Sequence, residues 1–240
     1  MNKEIVIAAY DKDLSWLSTL HDDTKKTIYR KGDYELLDGE IRLDNVGRDV
    51  HTFFTHLYLN YDNLSDITFF AQDYPFDHWE DLVEVINNST WSDKCALNVD
   101  GYYGFHFNTN QPNTPVNLKM VDGSPTQLIV GMMWDLSQSQ QFDTSPWTNR
   151  VLVCNRDGTP QDTNFLNSMN LDDSWRMFFS GPPPPFYEFM PGGHFGVTKE
   201  QVRIRDKEFY KKIVDLLRDD TNSPWVIERL ECYFFNPKFI

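Results

Sequence analysis

"NVGRDVHTFFTHLYLNYDNLSDITFFAQDYPFDHW", residues 45–79, decides the fold. Val50, Phe53, Phe54, Leu57, Tyr58 and Tyr61 recur at helical spacing, which predicts an amphipathic helix over 49–62. Asn45 and Gly47 precede it, and Asp49 falls in the first turn, where an acidic side chain is favoured. DITFFA (66–71) is a short continuous apolar run of the kind that forms a strand buried on both faces. Trp79, Leu82, Val83 and Ile86 then predict a second helix over 77–87. Helix, buried strand and helix in direct succession point to an α/β domain with a mostly parallel sheet flanked by helices.

Working outward, EIVIAA (4–9) is a second buried-strand run, and it ends in the polar loop Tyr10-Asp11-Lys12-Asp13. LSWLSTL follows with helical spacing at Leu14, Leu17 and Leu20. Strand, polar loop and helix is how nucleotide-binding α/β domains commonly begin. Toward the other end, 199–219 reads as a helix with Phe209, Ile213, Leu216 and Leu217 on one face. Ser223 and Pro224 suit the N-cap and first position of a closing helix, "SPWVIERLECYFF". Between these parts, residues 95–176 are rich in Asn, Gln, Asp, Thr, Ser and Pro. They read as a β- and loop-rich insertion in a single domain spanning 1–240.

A chain of 240 residues with 40% hydrophobic and 15% aromatic content can bury a substantial core. Its formal charge of −14 opposes a general electrostatic grip on nucleic acid. No run approaches the ~18 consecutive apolar residues of a membrane span, and the N-terminus lacks the pattern of a secretory signal. The three cysteines, Cys95, Cys154 and Cys232, form neither a CxxC pair nor a disulfide framework. A cytoplasmic protein is expected.

Ligands of an open parallel sheet sit at the carboxyl ends of its strands. Loops at Tyr10–Asp13, Gln72–His78 and Gly192–Phe195 are expected there. Tyr10 and Asp11 offer nucleotide contacts, or simply a solvated turn. Asn45, Arg48 and Asp49 combine a helix N-terminus with a guanidinium, which suits phosphate or carboxylate; plain helix capping is the alternative. Gln72, Asp73, Asp77 and His78 cluster in "QDYPFDH", where Asp73, Asp77 and His78 are candidate ligands for a hard divalent cation. Asp77 would equally suit a helix cap. His194, between a Gly pair and an apolar turn, is a candidate substrate contact or a hydrogen-bonded structural residue. Glu228 sits in an otherwise apolar helix; burial favours the neutral form of a carboxylate and suits a general base. An ion pair with Arg229 is the alternative.

Three pieces together resemble a family of uncharacterised glycosyltransferase-like proteins with the GT-A nucleotide-sugar fold, a Rossmann-like architecture. They are IVIAAYDKDLSWL, the 45–79 stretch, and GGHFGVTKEQVRIRDKEFYKKIVDLL with PWVIERLECYFF. The resemblance implies transfer of a sugar from a nucleotide-diphosphate donor to an acceptor hydroxyl. Tyr10 and Asp11 would hold the nucleotide, and Asp73 would stand at the Mn2+ or Mg2+ position. Glu228 would be the base of an inverting transfer. The acidic motif is Gln72-Asp73 rather than Asp-x-Asp, which leaves metal dependence open. Two other readings stand beside this one: a non-catalytic binding or assembly protein on the same fold, and a metal-assisted hydrolase using Asp73, Asp77, His78 and His194.

Overall fold

The computed structural model describes residues 2–77, 79, 81–88, 95–99, 102–105, 114–119, 125–130, 171–182, 188–189, 194–220 and 223–240. Its centre is β1 (Lys3–Ala9), buried along its whole length as the apolar run requires. β2 (Thr24–Lys31) and β4 (Ile67–Gln72) pair with it on either side, both parallel. The short β3 (Ile41–Leu43) adds to β2, also parallel. On the far side of β4 the chain returns antiparallel as β10 (Phe195–Thr198). The order β3-β2-β1-β4-β10 is a five-stranded, mostly parallel α/β sheet. The hairpin of β5 (Cys95–Val99) and β6 (Tyr102–Phe105) extends it antiparallel beyond β10. β7 (Thr114–Lys119), β8 (Pro125–Val130) and β9 (Glu188–Phe189) form a second, three-stranded sheet. The described part of 95–176 is therefore largely β, and two of its strands lengthen the main sheet.

Pleating sends alternate residues of β1 to opposite faces. Val6 and Ala8 meet a core with α1 (Arg48–Leu59), α5 (Lys207–Asp219) and α6 (Ser223–Phe234). Ile5, Ile7 and Ala9 meet Leu17, Trp79 and α2 (Leu82–Asn88) on the other face. Helix α1 lies between the sheet and the outer helices, so residues 50–57 are all buried and its polar side goes inside with its apolar stripe.

Several elements differ from the expectation. The second helix begins only at Leu82, after a 3-10 turn at Pro75–Asp77, and LSWLSTL is a 3-10 helix at Ser15–Thr19. The 199–219 helix is two: α4 (Lys199–Val202) and α5, broken where Asp206 turns extended and caps the second by accepting Phe209 N–H at 2.8 Å. Ser223 does not act as the expected cap. It opens α6, and its hydroxyl donates back to the Asp220 and Leu216 carbonyls at 2.6 and 3.2 Å. Trp175, in α3 (Leu171–Phe178), is buried and stacks on Phe179 at 4.0 Å. β2 and β3 carry alternating or mixed polar residues, and nothing in the apolar pattern announces them.

Candidate functional site

In an order 3-2-1-4 the sheet reverses direction of growth between β1 and β4, and the loops leaving those two strands part there. A cleft of about 430 Å³ opens beside this point. Tyr10 reaches it from the end of β1 and Gln72 from the end of β4. Residues 45–49 line it at the start of α1, and Leu217, Arg218 and Pro224 close it from the α5–α6 corner. Five of the candidate substrate contacts, Tyr10, Asn45, Arg48, Asp49 and Gln72, thus share one cavity.

The wall at α1 is built by an unusual backbone. Gly47 has φ 58° and Arg48 φ 52°, both left-handed, and Arg48 is the one non-glycine residue with positive φ among the described residues. Gly47 is required twice over, because a Cβ there would stand 2.6 Å from the Leu217 carbonyl oxygen and 2.7 Å from the His51 Cβ. The first helical hydrogen bond runs from His51 N–H to the Gly47 carbonyl at 3.0 Å. The amides of Arg48, Asp49 and Val50 precede it, at the positive end of the helix dipole. Asp49 Oδ1 accepts from Val50 N–H at 3.0 Å. The Arg48 guanidinium lies 5.0 Å over the Trp225 ring, a cation–π contact that draws its base toward α6.

The β1 loop is held from two sides. Asp73 is buried, and its Oδ2 accepts from the N–H groups of Tyr10 at 2.8 Å and Lys12 at 3.1 Å. Tyr74 N–H donates to its Oδ1 at 3.1 Å, and Trp16 Nε1 donates to its carbonyl at 2.8 Å. Arg30 Nη1 donates to the Tyr10 carbonyl at 2.7 Å, while its other nitrogens pair with Glu40. Burial, then the Asp49 carboxylate, raise the Tyr10 phenol well above its ordinary range, so it stays a neutral hydroxyl at the cleft wall.

Other candidates fall outside the cleft lining. His194 is buried behind it, and its Nε2 accepts from Gln72 N–H at 3.3 Å, so it props the β4 end rather than facing a ligand. Asp11 is exposed and sits 3.6 Å from Lys12 Nζ in a surface pair. Glu228 Oε2 lies 3.6 Å from Arg229 Nη1, and Glu228 does not line the cleft. Asp77's side chain and His78 lie outside the described residues. Among the described residues no group of three or more His, Cys, Asp or Glu side chains is placed to hold a metal ion. Both Asp73 oxygens accept backbone amides, so in the described structure Asp73 serves the loop backbone.

Sequence reading missed Arg218 and Lys31. Arg218 closes α5, where a basic last-turn residue is ordinarily a dipole partner, and only the α5–α6 corner turns it to the cleft. Lys31, fully buried at the end of β2, donates to the Val46 carbonyl at 2.6 Å and to the Arg48 carbonyl.

A family profile described as "Protein of unknown function (DUF3431)" matches residues 5–238. The chain belongs to the DUF3431 family. Comparison with curated proteins gives no match, nor does comparison with solved structures. In this DUF3431 chain no helix of the described residues is long and apolar enough to cross a membrane.

Proposed function

We propose that the protein binds a nucleotide-diphosphate sugar in this cleft and transfers the sugar to an acceptor hydroxyl. The observation that carries the reading is the convergence of Tyr10, Asn45, Arg48, Asp49 and Gln72 on one cavity beside the β1–β4 switch point. Helix amides and guanidinium groups are matched to phosphate oxygens in both charge and direction. The diphosphate lies against the start of α1, between Arg48 and Arg218. These two cations and the helix dipole take up the negative charge that grows on the leaving diphosphate. Tyr10 and Gln72 face the rest of the donor.

In the transfer, the bond from the anomeric carbon to the diphosphate oxygen breaks. A bond from that carbon to the acceptor oxygen forms, and the acceptor proton passes to a carboxylate. Glu228 is the candidate base. It lies one turn beyond Pro224, a cleft-lining residue of the same helix, and outside the lining itself. No step is routed through a metal at Asp73.

The first test is a thermal-shift panel of UDP, GDP, CDP and dTDP, each with and without Mn2+. A ligand that binds only the native state raises its midpoint by mass action. One nucleotide is expected to stand out; folded protein that responds to none removes the donor-binding reading. A second reading, binding without transfer, is favoured by one contact: Arg229 stands against Glu228. Nucleotide binding with no release of nucleoside diphosphate in the presence of any sugar donor and acceptor would select it.

A further inference from the structure

The left-handed turn at Gly47-Arg48 has a holder. For an L residue that conformation is sterically strained, so it persists only where the surroundings impose it. At Gly47 the cost is absent, but at Arg48 it is not. Lys31 ends β2, one strand in from the edge strand β3, and pairs in register with Leu43. Residues 44–48 leave β3 and pass over the lysine's Nζ, which donates to the carbonyls of Val46 and Arg48, on either side of Gly47. Both carbonyls are thereby turned inward, and the residues between them line the cleft. Lys31 itself is fully buried and does not line the cavity.

We infer that Lys31 is a positioning residue for an anionic ligand: its ammonium holds the Gly47-Arg48 turn that aims Arg48 and the first amides of α1 into the cleft. The inference rests on the proposal that the cleft takes a phosphorylated donor. A lysine buried only for packing would present its stem to apolar neighbours and its nitrogen to water. This one is buried to the tip and spends its charge on two backbone oxygens of the cleft wall. The groups that face it are the Asp49 and Asp44 carboxylates, which favour its charged form, and the His51 imidazole. Burial outweighs the carboxylates and brings the ammonium down to about 8. The grip on the turn therefore weakens as pH rises through about 8, when the charge that strengthens both hydrogen bonds is lost.

The test uses the full chain, inorganic pyrophosphate as probe, and three proteins: wild type, Lys31→Arg and Lys31→Met. In K31M, pyrophosphate affinity is expected to fall about tenfold while near-ultraviolet circular dichroism shows an intact fold. Between pH 7 and 9 the wild type is expected to lose affinity relative to K31R, whose guanidinium stays charged. Comparison at each pH cancels the ionisation of the probe. In the absence of any ligand, the amide resonances of Arg48 and Asp49 are expected to titrate near pH 8 in wild type and to stay fixed in K31R. If K31M does not fold, the K31R comparison and the resonances carry the test. Folded K31M that binds like wild type overturns the inference and leaves the donor reading in place, as do resonances indifferent to pH. Wild type that binds no pyrophosphate overturns the donor reading, and the resonances still decide whether Lys31 holds the turn.

Discussion

The Asp73 carboxylate crosses the sheet's switch point to the backbone of Tyr10, accepting its N–H at 2.8 Å. The same oxygen takes Lys12 N–H at 3.1 Å, so one buried side chain fixes the geometry of the loop after β1. Asp73→Ala leaves three donors, the N–H groups of Tyr10, Lys12 and Tyr74, without their acceptor in a partly buried place, and unfolding stability is expected to fall by about 2–3 kcal/mol. Asp73→Asn keeps an oxygen but loses the charge, and about 1 kcal/mol is expected. Urea unfolding at neutral pH reads both, and hydrogen exchange at Tyr10 and Lys12 should quicken in each. Unchanged exchange in D73A would show that the loop is held otherwise.

Gly47→Ala meets two obstacles together. The residue has φ 58°, and its new Cβ would lie 2.6 Å from the Leu217 carbonyl oxygen, a backbone atom that cannot swing away. Gly39 supplies the internal comparison: φ is 81°, with nothing within 4 Å of an added Cβ. G39A is expected to lose only the conformational part, about 1 kcal/mol, and G47A about 3 kcal/mol or more. Denaturant midpoints of the two variants measure the difference. Equal losses would mean that the α1–α5 contact yields without cost.

The sequence made one half of this architecture readable and hid the other. Ile5 to Ala9, and Ile67 to Ala71 apart from the buried Thr68, are apolar because helices cover both faces of β1 and β4, and such strands announce themselves. β2 does not: its first half carries the exposed Lys25 and Lys26, and its far end buries Arg30 and Lys31 for work on the loops. The cleft was legible where a local motif builds it, at Asn45–Asp49, Tyr10 and Gln72. It was not legible at Arg218, whose place depends on the packing of α5 against α1 across a long stretch of chain. His194 was expected at the strand ends and is there, but by a different route. It enters β10, which runs antiparallel, so the start of that strand lies beside the end of β4.

Acid should weaken the fold through His51. The ring is fully buried in α1, and neither nitrogen has a hydrogen-bond partner among the described residues. Burial first, then Lys31 and Arg218, lower it from 6.5 to about 4. A group whose folded value is depressed binds protons more readily unfolded, so its contribution is complete above pH 6.5 and is withdrawn as pH falls toward 4. At about 1.4 kcal/mol per unit, the loss is on the order of 3 kcal/mol. His51→Leu keeps the apolar volume and removes the titration, so its stability should change less between pH 7 and 4.5 than that of wild type. Parallel stability curves for the two proteins would count against this assignment.

Arg218 and Arg48 should separate binding from folding. Both line the cleft from different helices, Arg48 lies over Trp225, and neither is engaged in an ion pair among the described contacts. Replacing either with Met retains the stem and removes the charged donors, so a midpoint change within about 0.5 kcal/mol is expected. Loss of one charge-assisted contact to a phosphate is worth roughly 1.5–3 kcal/mol, or about 10- to 100-fold in affinity. Calorimetric titration with the nucleotide identified by the thermal-shift panel should show that loss in R218M and R48M alike. Their affinities should also depend less on salt than wild type, since each variant removes one screened charge pair. A variant that loses stability but binds as tightly as wild type would place its arginine in the scaffold and take it out of the ligand's reach.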